Sequence, residues 1–256
     1  MSKTLNKRIF GQYAAHYVDS KPHAKGASLQ KIIELASPQI DWYALDIATA
    51  AGHTALTVAP YVKHVTATDL TPEMIPLAQK SAQERGISNI TVEIADGENL
   101  QYEDDSFHLV TCRIAPHHFG DIPAFVSETH RVLKETGLLV VVDNIVPPGE
   151  AGKFVNVFEK RRDPSHQRCL TLDEWISHFE DAGFEVTAVD SLAKEMDFNS
   201  WAGRHPKSIQ DELRDLLHNA PPEAKSFLQP SKAADQLTFR LVEGIIVGRK
   251  NKQILA

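Results

Sequence analysis

Short apolar runs alternate along the chain with amphipathic stretches of helical length, which is the pattern of a parallel α/β sheet. The apolar runs predict strands, and the stretches with helical spacing predict the helices between them. The predicted strands are 43–48, 64–68, 90–94, 107–112, 137–142, 184–189 and 239–247, and the predicted helices are 53–61, 71–85, 123–133 and 172–182.

Helix-start signals support two of these helices. Thr71 fits an N-cap, and Pro72 fits the first helical position that follows it. Thr171 and Glu174 form a capping-box pattern, with Leu170 and Trp175 spaced to make the accompanying hydrophobic contact. After residue 146 the alternation gives way to charged and proline-containing segments, so we expect excursions from the sheet over 146–171 and 191–237.

The composition is that of a globular protein, with 42% hydrophobic and 24% charged residues. The longest apolar stretch, 138–142, is far shorter than the roughly 18–20 residues that span a bilayer. No apolar run follows Lys7 and Arg8, so we expect no signal peptide and a cytoplasmic protein. Cys112 and Cys169 make neither a disulfide framework nor a zinc spacing. The net charge of −7 makes nucleic acid an unlikely main partner, and no membrane association is expected.

Acidic and small residues stand where the predicted strands end. In an open α/β sheet, ligands bind at the carboxyl ends of the strands, near the point where strand order reverses. The carboxylate of Asp69 can there accept hydrogen bonds from both hydroxyls of a ribose. Asp96 can accept one from an exocyclic adenine amine, and the amide of Gly97 can donate one to a ring nitrogen. The strand ends are 46–52, Asp69, 96–97, 113–118 and Asp143.

This set of motifs resembles the class I S-adenosylmethionine-dependent methyltransferases, and most closely the ubiquinone/menaquinone-biosynthesis type with a type-11 methyltransferase domain. The resemblance rests on LDIATAAGH at 45–53, ATDLTPEM at 67–74, ADGENL at 95–100 and RVLKETG at 131–137. It is strong over residues 40–145 and holds only in outline elsewhere.

The resemblance implies a doubly wound, mostly parallel, seven-stranded Rossmann-like sheet. Its last strand, 239–247, would run antiparallel beside 184–189, after a helical insertion. We expect a single methyltransferase domain over residues 1–256, with N-terminal lid helices in 1–38 and the S-adenosylmethionine-binding core in 40–145.

The resemblance also assigns the cofactor-binding residues. They are Asp46, Ala48, Gly52, Asp69, Leu70, Asp96, Gly97 and Arg113, with Tyr13 and Tyr17 on the lid helix. Some have a structural alternative: Asp46 can hold the loop amides, Asp96 can cap the following turn, and the two tyrosines can simply anchor their helix.

The loop after the first strand departs from the family pattern. Ala48 and Ala50 stand where the family has glycines, and each Cβ disfavours a positive φ. The loop is therefore expected to be displaced or to bind the cofactor more weakly, with Gly52 kept at the closest approach. The single glycine also argues against a nicotinamide dinucleotide, which needs G-x-G-x-x-G, and Asp46 would repel its pyrophosphate.

The loop after the fourth strand is the candidate catalytic region. His118 is the preferred general base and His117 the second choice, with packing against the following helix as the alternative for either histidine. Arg162 and Arg168 suit an acidic acceptor, although a solvated loop held by Asp163 would explain them as well.

The expected reaction is methylation of a small-molecule acceptor on carbon or oxygen, by a monomer or homodimer. A nucleic-acid acceptor is the alternative substrate, and S-adenosylmethionine binding without transferase activity is the alternative function. No metal is expected, although Asp143 and Asn144 would be the place for one.

Overall fold

The computed structural model describes residues 3–4, 7–8, 10–11, 26–233 and 236–251. Within these ranges, one mixed sheet has the strand order β3-β2-β1-β4-β5-β8-β6, and the short β7 pairs with β8. The strands are β1 (Tyr43–Ile47), β2 (His64–Asp69), β3 (Ile90–Ile94), β4 (Phe107–Arg113), β5 (Leu133–Ile145), β6 (Phe184–Asp197), β7 (Ser231–Ala233) and β8 (Gln236–Lys250).

Helices cover both faces of this sheet. They are α1 (Ala27–Ala36), α2 (His53–Val58), α3 (Met74–Glu84), α4 (Ile122–Val132), α5 (Gly149–Arg162), α6 (Leu172–Asp181), α7 (Phe198–Ala202), α8 (Lys207–His218) and α9 (Pro222–Leu228). Short 3₁₀ turns occupy Ala59–Tyr61 and Pro116–His118. The expected doubly wound α/β fold is confirmed, and none of the described helices is long and apolar enough to cross a membrane.

Strands β1 to β5 are parallel to one another, and β8 is antiparallel to both β5 and β6. Strand order reverses between β1 and β4, so the carboxyl ends of these strands flank a crevice where ligands bind in such folds. Successive side chains of β1 point to opposite faces, and Leu45 joins one core cluster while Ala44 joins the other. Both faces are therefore buried, which explains the nearly continuous apolar runs in the sequence.

Strands β6 and β8 are longer than their patterns predict. The prediction that the insertion begins at residue 191 is wrong for 191–197, because β6 continues to Asp197 and pairs with β8 up to Thr238. This pairing satisfies the backbone of a segment too polar to be recognised as a strand. Helices α7, α8 and α9 form the insertion, and Phe158, Trp201 and Phe239 pack in a separate core beneath them.

The helix-start predictions have different outcomes. The capping box is confirmed: Thr171 Oγ1 accepts a hydrogen bond from the amide of Glu174, whose carboxylate accepts one from the amide of Thr171. Helix α3 begins at Met74 rather than just after Thr71. The amide of Thr71 donates instead to the carboxylate of Asp69, which holds the preceding residues in a turn.

Candidate active site

A cavity of about 1030 Å³ lies at the carboxyl ends of the parallel strands. One end is lined by the loops after β1, β2 and β3, and the other by α5, α7 and the facing parts of β6 and β8. The turn Pro116–His118 joins the two ends. Predicted site residues that line the cavity are Ala48, Asp69, Leu70, Asp96, Gly97, Arg113, His117, His118 and Arg162.

Asp46 holds the loop after β1 and does not line the cavity. Its carboxylate is 1% exposed and accepts hydrogen bonds from Thr49 Oγ1 at 2.6 Å and Thr111 Oγ1 at 2.7 Å. The amide of Ala55 at the start of α2 donates a third. Burial raises the pKa of Asp46 to about 6, while these hydrogen bonds oppose the shift. The prediction that Asp46 contacts the cofactor is therefore corrected, in favour of its structural alternative.

The alanines of this loop adopt the conformation that glycine would favour. Ala48 has φ 55° and Ala50 has φ 48°, both in the left-handed region. The amide of Ala50 donates to Asp69 Oδ2 at 2.9 Å, so Asp69 helps to hold the loop there. Both alanines therefore keep the backbone conformation for which glycine is suited.

Gly52 has a packing role rather than a place in the cavity wall. It has φ 87° and precedes α2, and a Cβ at this position would lie 3.4 Å from Cβ of Ala78 on α3. Gly52 therefore lets α2 begin close to α3. It is not among the residues that line the cavity, so the prediction of closest approach to the cofactor is not met.

Asp69 presents a buried carboxylate at the end of β2. Its Oδ2 accepts from the amide of Ala50 and its Oδ1 from the amide of Thr71, both at 2.9 Å. Burial raises the pKa of Asp69, and these amides oppose the shift. The hydroxyl of Thr71 and the amide of Leu70 also donate to this carboxylate, which is therefore held firmly at the end of β2.

The loop after β3 approaches β1 closely. A Cβ on Gly97 would lie only 2.6 Å from Ile47 Cγ2, so any larger residue would push this loop out of place. Asp96 accepts a hydrogen bond from Lys3 at 2.5 Å, and Lys3 also pairs with Glu98 at 2.6 Å. The amide of Glu98 donates to Asp96 Oδ1, so Asp96 also makes the turn contact that was its structural alternative.

His117 forms a buried ion pair with Asp143. Its Nδ1 lies 2.5 Å from Asp143 Oδ1, and its amide donates to Asp143 Oδ2 at 2.7 Å. Burial lowers the pKa of His117, but the adjacent carboxylate outweighs it and the net shift is upward. This geometry favours the protonated imidazole, with Asp143 as its counter-charge. Within the described ranges, no group of His, Cys, Asp and Glu side chains is arranged to hold a metal ion.

His118 is oriented by a chain of buried groups. Ser165 Oγ lies 2.5 Å from Asp163 Oδ1 and 3.2 Å from His118 Nδ1. The hydroxyl of Ser165 donates to the carboxylate of Asp163, and a hydrogen bond with the backbone of Ser165 also acts on the His118 ring. Arg204 completes the chain with a hydrogen bond of 3.0 Å to Asp163 Oδ2.

Electrostatics keep His118 neutral. Burial and then the charge on His117 hold the pKa of His118 well below its usual range. Burial and His117 also lower the pKa of the third histidine of the cluster, His166, to about 3. Burial opposes the shift at Asp163, but the positive charges around it and the hydrogen bond from Ser165 hold the pKa of that carboxyl below its usual range. Among the three histidines, the pKa is shifted upward only at His117.

Of the two arginines predicted for an acidic acceptor, only Arg162 lines the cavity. It lies 5.3 Å above the ring of Trp201 and donates to the carbonyl of that residue. The side chain of Arg168 is 57% exposed and pairs with Glu174, so the prediction for Arg168 is wrong. Glu174 is fixed by the capping box of α6, which directs Arg168 away from the cavity.

Several cavity residues were not among the predicted catalytic, cofactor-binding or acceptor-binding residues. They are Asn144, Glu159, Asp163, His166, Trp201, Arg204 and Glu243. Glu243 pairs with Lys194 and Asp163 with Arg204, both far away in sequence, so no local spacing marks these pairs. Tyr13 and Tyr17 lie outside the described residues.

Comparisons with known proteins agree with this geometry. Residues 45–141 match the family model of the methyltransferase domain. The chain is 35% identical over 223 residues to the uncharacterized methyltransferase YcgJ of Bacillus subtilis, which covers 86% of this chain and 88% of that protein. The crystal structure of YcgJ superposes with a TM-score of 0.84 at 33% identity, over 88% of this chain and 98% of that one.

Two further relatives extend the comparison. A putative methyltransferase from Bacillus halodurans gives a TM-score of 0.84 at 34% identity, over 88% of this chain and all of that one (100%). The demethylmenaquinone methyltransferase of Chlorobaculum parvum is 34% identical over 124 residues, which are 45% of this chain and 49% of that protein. The cavity lies at the strand ends, and the match to YcgJ extends over most of both chains. The chain therefore belongs to the methyltransferase family.

Proposed function

We propose that this protein transfers a methyl group from S-adenosylmethionine to a small-molecule acceptor, at carbon or oxygen. The observation that carries the proposal is the continuity of the cavity. It joins an end lined by Asp69 and Gly97 to an end lined by Glu159 and Glu243, and His118 lines the same cavity. A cofactor and an acceptor bound at these two ends would meet beside His118.

The residues at the first end fit the cofactor. Asp69 places a fixed, buried carboxylate on the cavity wall, which suits ribose hydroxyls as hydrogen-bond donors. The lack of a Cβ at Gly97 keeps the loop after β3 against Ile47, where an adenine ring would lie against backbone. Leu70, Met74 and Phe119 supply apolar walls. Ala48, Ala50 and Arg113 line the same region.

The cavity favours a small acceptor over a polymer. Sites for small molecules commonly occupy about 300–1000 Å³, and α5, α7 and the long β6 and β8 wall in the acceptor end. A nucleic acid would need a broad basic face, whereas this chain has a net charge of −7. The walled acceptor end also argues against a protein that binds S-adenosylmethionine without transferring its methyl group.

His118 is assigned the role of general base, which removes a proton from the methyl acceptor. When bound, S-adenosylmethionine supplies a methyl group on a positively charged sulfur, which keeps the electron pair of the broken S–C bond as S-adenosylhomocysteine leaves. Nε2 of His118 takes the proton that the acceptor oxygen or carbon loses as the new bond to methyl forms. His117 is unsuited to this role because its Nδ1 is held by Asp143 and its raised pKa keeps it protonated.

Calorimetric titration with S-adenosylhomocysteine tests the proposal. The wild type should bind with a micromolar dissociation constant. Asp69→Ala should weaken binding at least about tenfold, because hydrogen bonds to a charged group contribute ~1.5–3 kcal/mol each. The matched control is Asp181→Ala, which removes an exposed carboxylate outside the cavity and should leave affinity unchanged. No binding by the wild type, or full affinity in Asp69→Ala, would contradict the proposal.

A further inference from the structure

Two buried oxygen atoms at the acceptor end of the cavity lack a hydrogen-bond partner among the described residues. They are Glu159 Oε1 on α5 and Asn144 Oδ1 on β5. Glu159 is only 7% exposed and Asn144 only 8%, and both line the cavity. Leaving buried acceptors unsatisfied costs folding free energy, so such atoms in a ligand cavity point to groups that a ligand satisfies.

Both residues lie near His117, the neighbour of the candidate base in the chain. Glu159 is near enough to Arg162, His117 and Lys194 for their charges to act on it, although burial dominates and raises its pKa. Asn144 follows Asp143, the partner of His117, and pairs in the sheet with Glu243 of β8. The two oxygens therefore extend from α5 and from the sheet into the region beside the Pro116–His118 turn.

Two of the cations at this end already have anionic partners. Lys194 Nζ lies 3.1 Å from Glu243 Oε1, and Arg204 lies 3.0 Å from Asp163 Oδ2. Arg162 stacks on Trp201, and Arg168 lies outside the cavity. These contacts weaken the case for an acidic substrate. The unsatisfied polar atoms at this end are oxygens that can accept hydrogen bonds.

Building on the proposed function, we infer that the methyl acceptor carries a hydroxyl or amino group that donates hydrogen bonds to Glu159 and Asn144. Both unsatisfied atoms are oxygens with lone pairs, so they match N–H or O–H donors and disfavour a carboxylate or phosphate. Trp201 lines the same end, and its ring packs against Phe158 and lies beneath Arg162 as part of that wall. The substrate class is therefore a compact hydroxylated or aminated molecule.

The test compares small ring compounds that differ in one group. Hydroquinone and benzylamine present a hydroxyl and an amino donor, 1,4-dimethoxybenzene presents the ring without a donor, and benzoate presents a carboxylate. Binding is measured by calorimetry or ligand-observed NMR, with and without saturating S-adenosylhomocysteine. At least one donor probe should bind about tenfold more tightly than 1,4-dimethoxybenzene and benzoate.

Variants connect this preference to the two side chains. Glu159→Met and Asn144→Leu should each reduce the preference for the donor probe. Glu159→Gln, the more conservative change, should weaken benzylamine more than hydroquinone, since it removes only the charge. The matched control is Ser200→Ala, which changes a cavity residue outside the pair and should keep the preference.

A second readout needs no ligand. Glu159→Met removes an unsatisfied buried carboxylate, so we expect it to raise the melting temperature. Glu243→Met leaves Lys194 without its partner, so we expect it to lower the melting temperature.

The inference is overturned if benzoate binds best, if neither donor probe binds, or if the preference survives in Glu159→Met and Asn144→Leu. Loss of S-adenosylhomocysteine binding by the wild type contradicts the proposed function instead. The two failures are distinguishable because Asp69 lies at the other end of the cavity from Glu159.

Discussion

His117 and Asp143 form a buried pair in which one carboxylate holds both the imidazole and the backbone of the same residue. The ring contact is 2.5 Å and the amide contact is 2.7 Å. Since Asp143 belongs to β5 and His117 to the turn after β4, the pair attaches the candidate catalytic turn to the sheet. The position of His118 depends on this attachment.

Replacing Asp143 should reveal how much the His117–Asp143 pair contributes to stability, because that contribution depends on pH. The raised pKa of His117 means that the pair stabilises the fold fully below about pH 6.5, and that this stabilisation is lost as pH rises through the folded-state pKa. Asp143→Asn should lower the free energy of unfolding by about 3 kcal/mol near pH 6, and by less near pH 9. Urea unfolding across this range checks it, and a difference independent of pH would contradict it.

The tautomer of His118 can be observed directly. We expect the proton on Nδ1, because the hydroxyl of Ser165 donates to Asp163 and accepts from the ring. Two-bond ¹H–¹⁵N NMR spectra distinguish the two neutral tautomers. Ser165→Ala should shift the population toward Nε2–H, whereas Ser200→Ala should not. If the wild type and Ser165→Ala show the same tautomer, Ser165 does not orient the ring of His118.

The role of His118 as a base predicts a selective loss of turnover. His118→Asn should lower kcat by at least about 100-fold with an acceptor that the wild type methylates, and should change affinity for S-adenosylhomocysteine only a few-fold. Because burial and His117 lower the pKa of His118, its base form should persist on the acidic side of neutrality. His64→Asn changes a histidine on β2 outside the cavity and serves as the control. If His118→Asn leaves kcat unchanged, His118 is not a general base, and catalysis rests on positioning the cofactor and the acceptor.

The left-handed alanines predict an unusual gain in stability from glycine. Ala48→Gly and Ala50→Gly should each raise the free energy of unfolding by about 0.5–1 kcal/mol, because relief of the positive φ outweighs the greater freedom of the unfolded chain. The neighbouring Ala51 is buried and is not among the residues with positive φ, so Ala51→Gly should be destabilising. Denaturant titration of the three variants is the measurement, and destabilisation by all three would show that the strain is absent.

The contact between Gly97 and Ile47 predicts a coupled pair. Gly97→Ala should destabilise the protein by roughly 1–3 kcal/mol and weaken S-adenosylhomocysteine binding, because its Cβ would overlap Ile47 Cγ2. The double variant with Ile47→Ala should lose less than the sum of the two single losses. Gly120→Ala, whose Cβ meets only the end of Glu98 at 3.8 Å, is the matched control. Strict additivity would mean that the two residues do not compete for this space.

Local pattern was sufficient for the central sheet and for one end of the cavity. The apolar runs predicted β1 to β4 closely, because strands buried on both faces need nearly continuous apolar side chains. Asp69 and Gly97 were found for a related reason: parallel strands end at one edge of the sheet, so residues that follow them come together. The longer β6 was missed because residues 191–197 are polar and become a strand only by pairing with β8.

The acceptor end was decided by tertiary structure. Sequence alone determined the parallel sheet, the acidic strand ends and the two histidines after β4. It did not determine that Asp46 would be enclosed by Thr49 and Thr111, or that Arg168 would pair with Glu174 away from the cavity. It also did not determine that Ser165 would bring Asp163 to His118. Secondary-structure periodicity fixes where a strand ends, whereas the partner of a buried polar side chain depends on which distant segments the fold brings together.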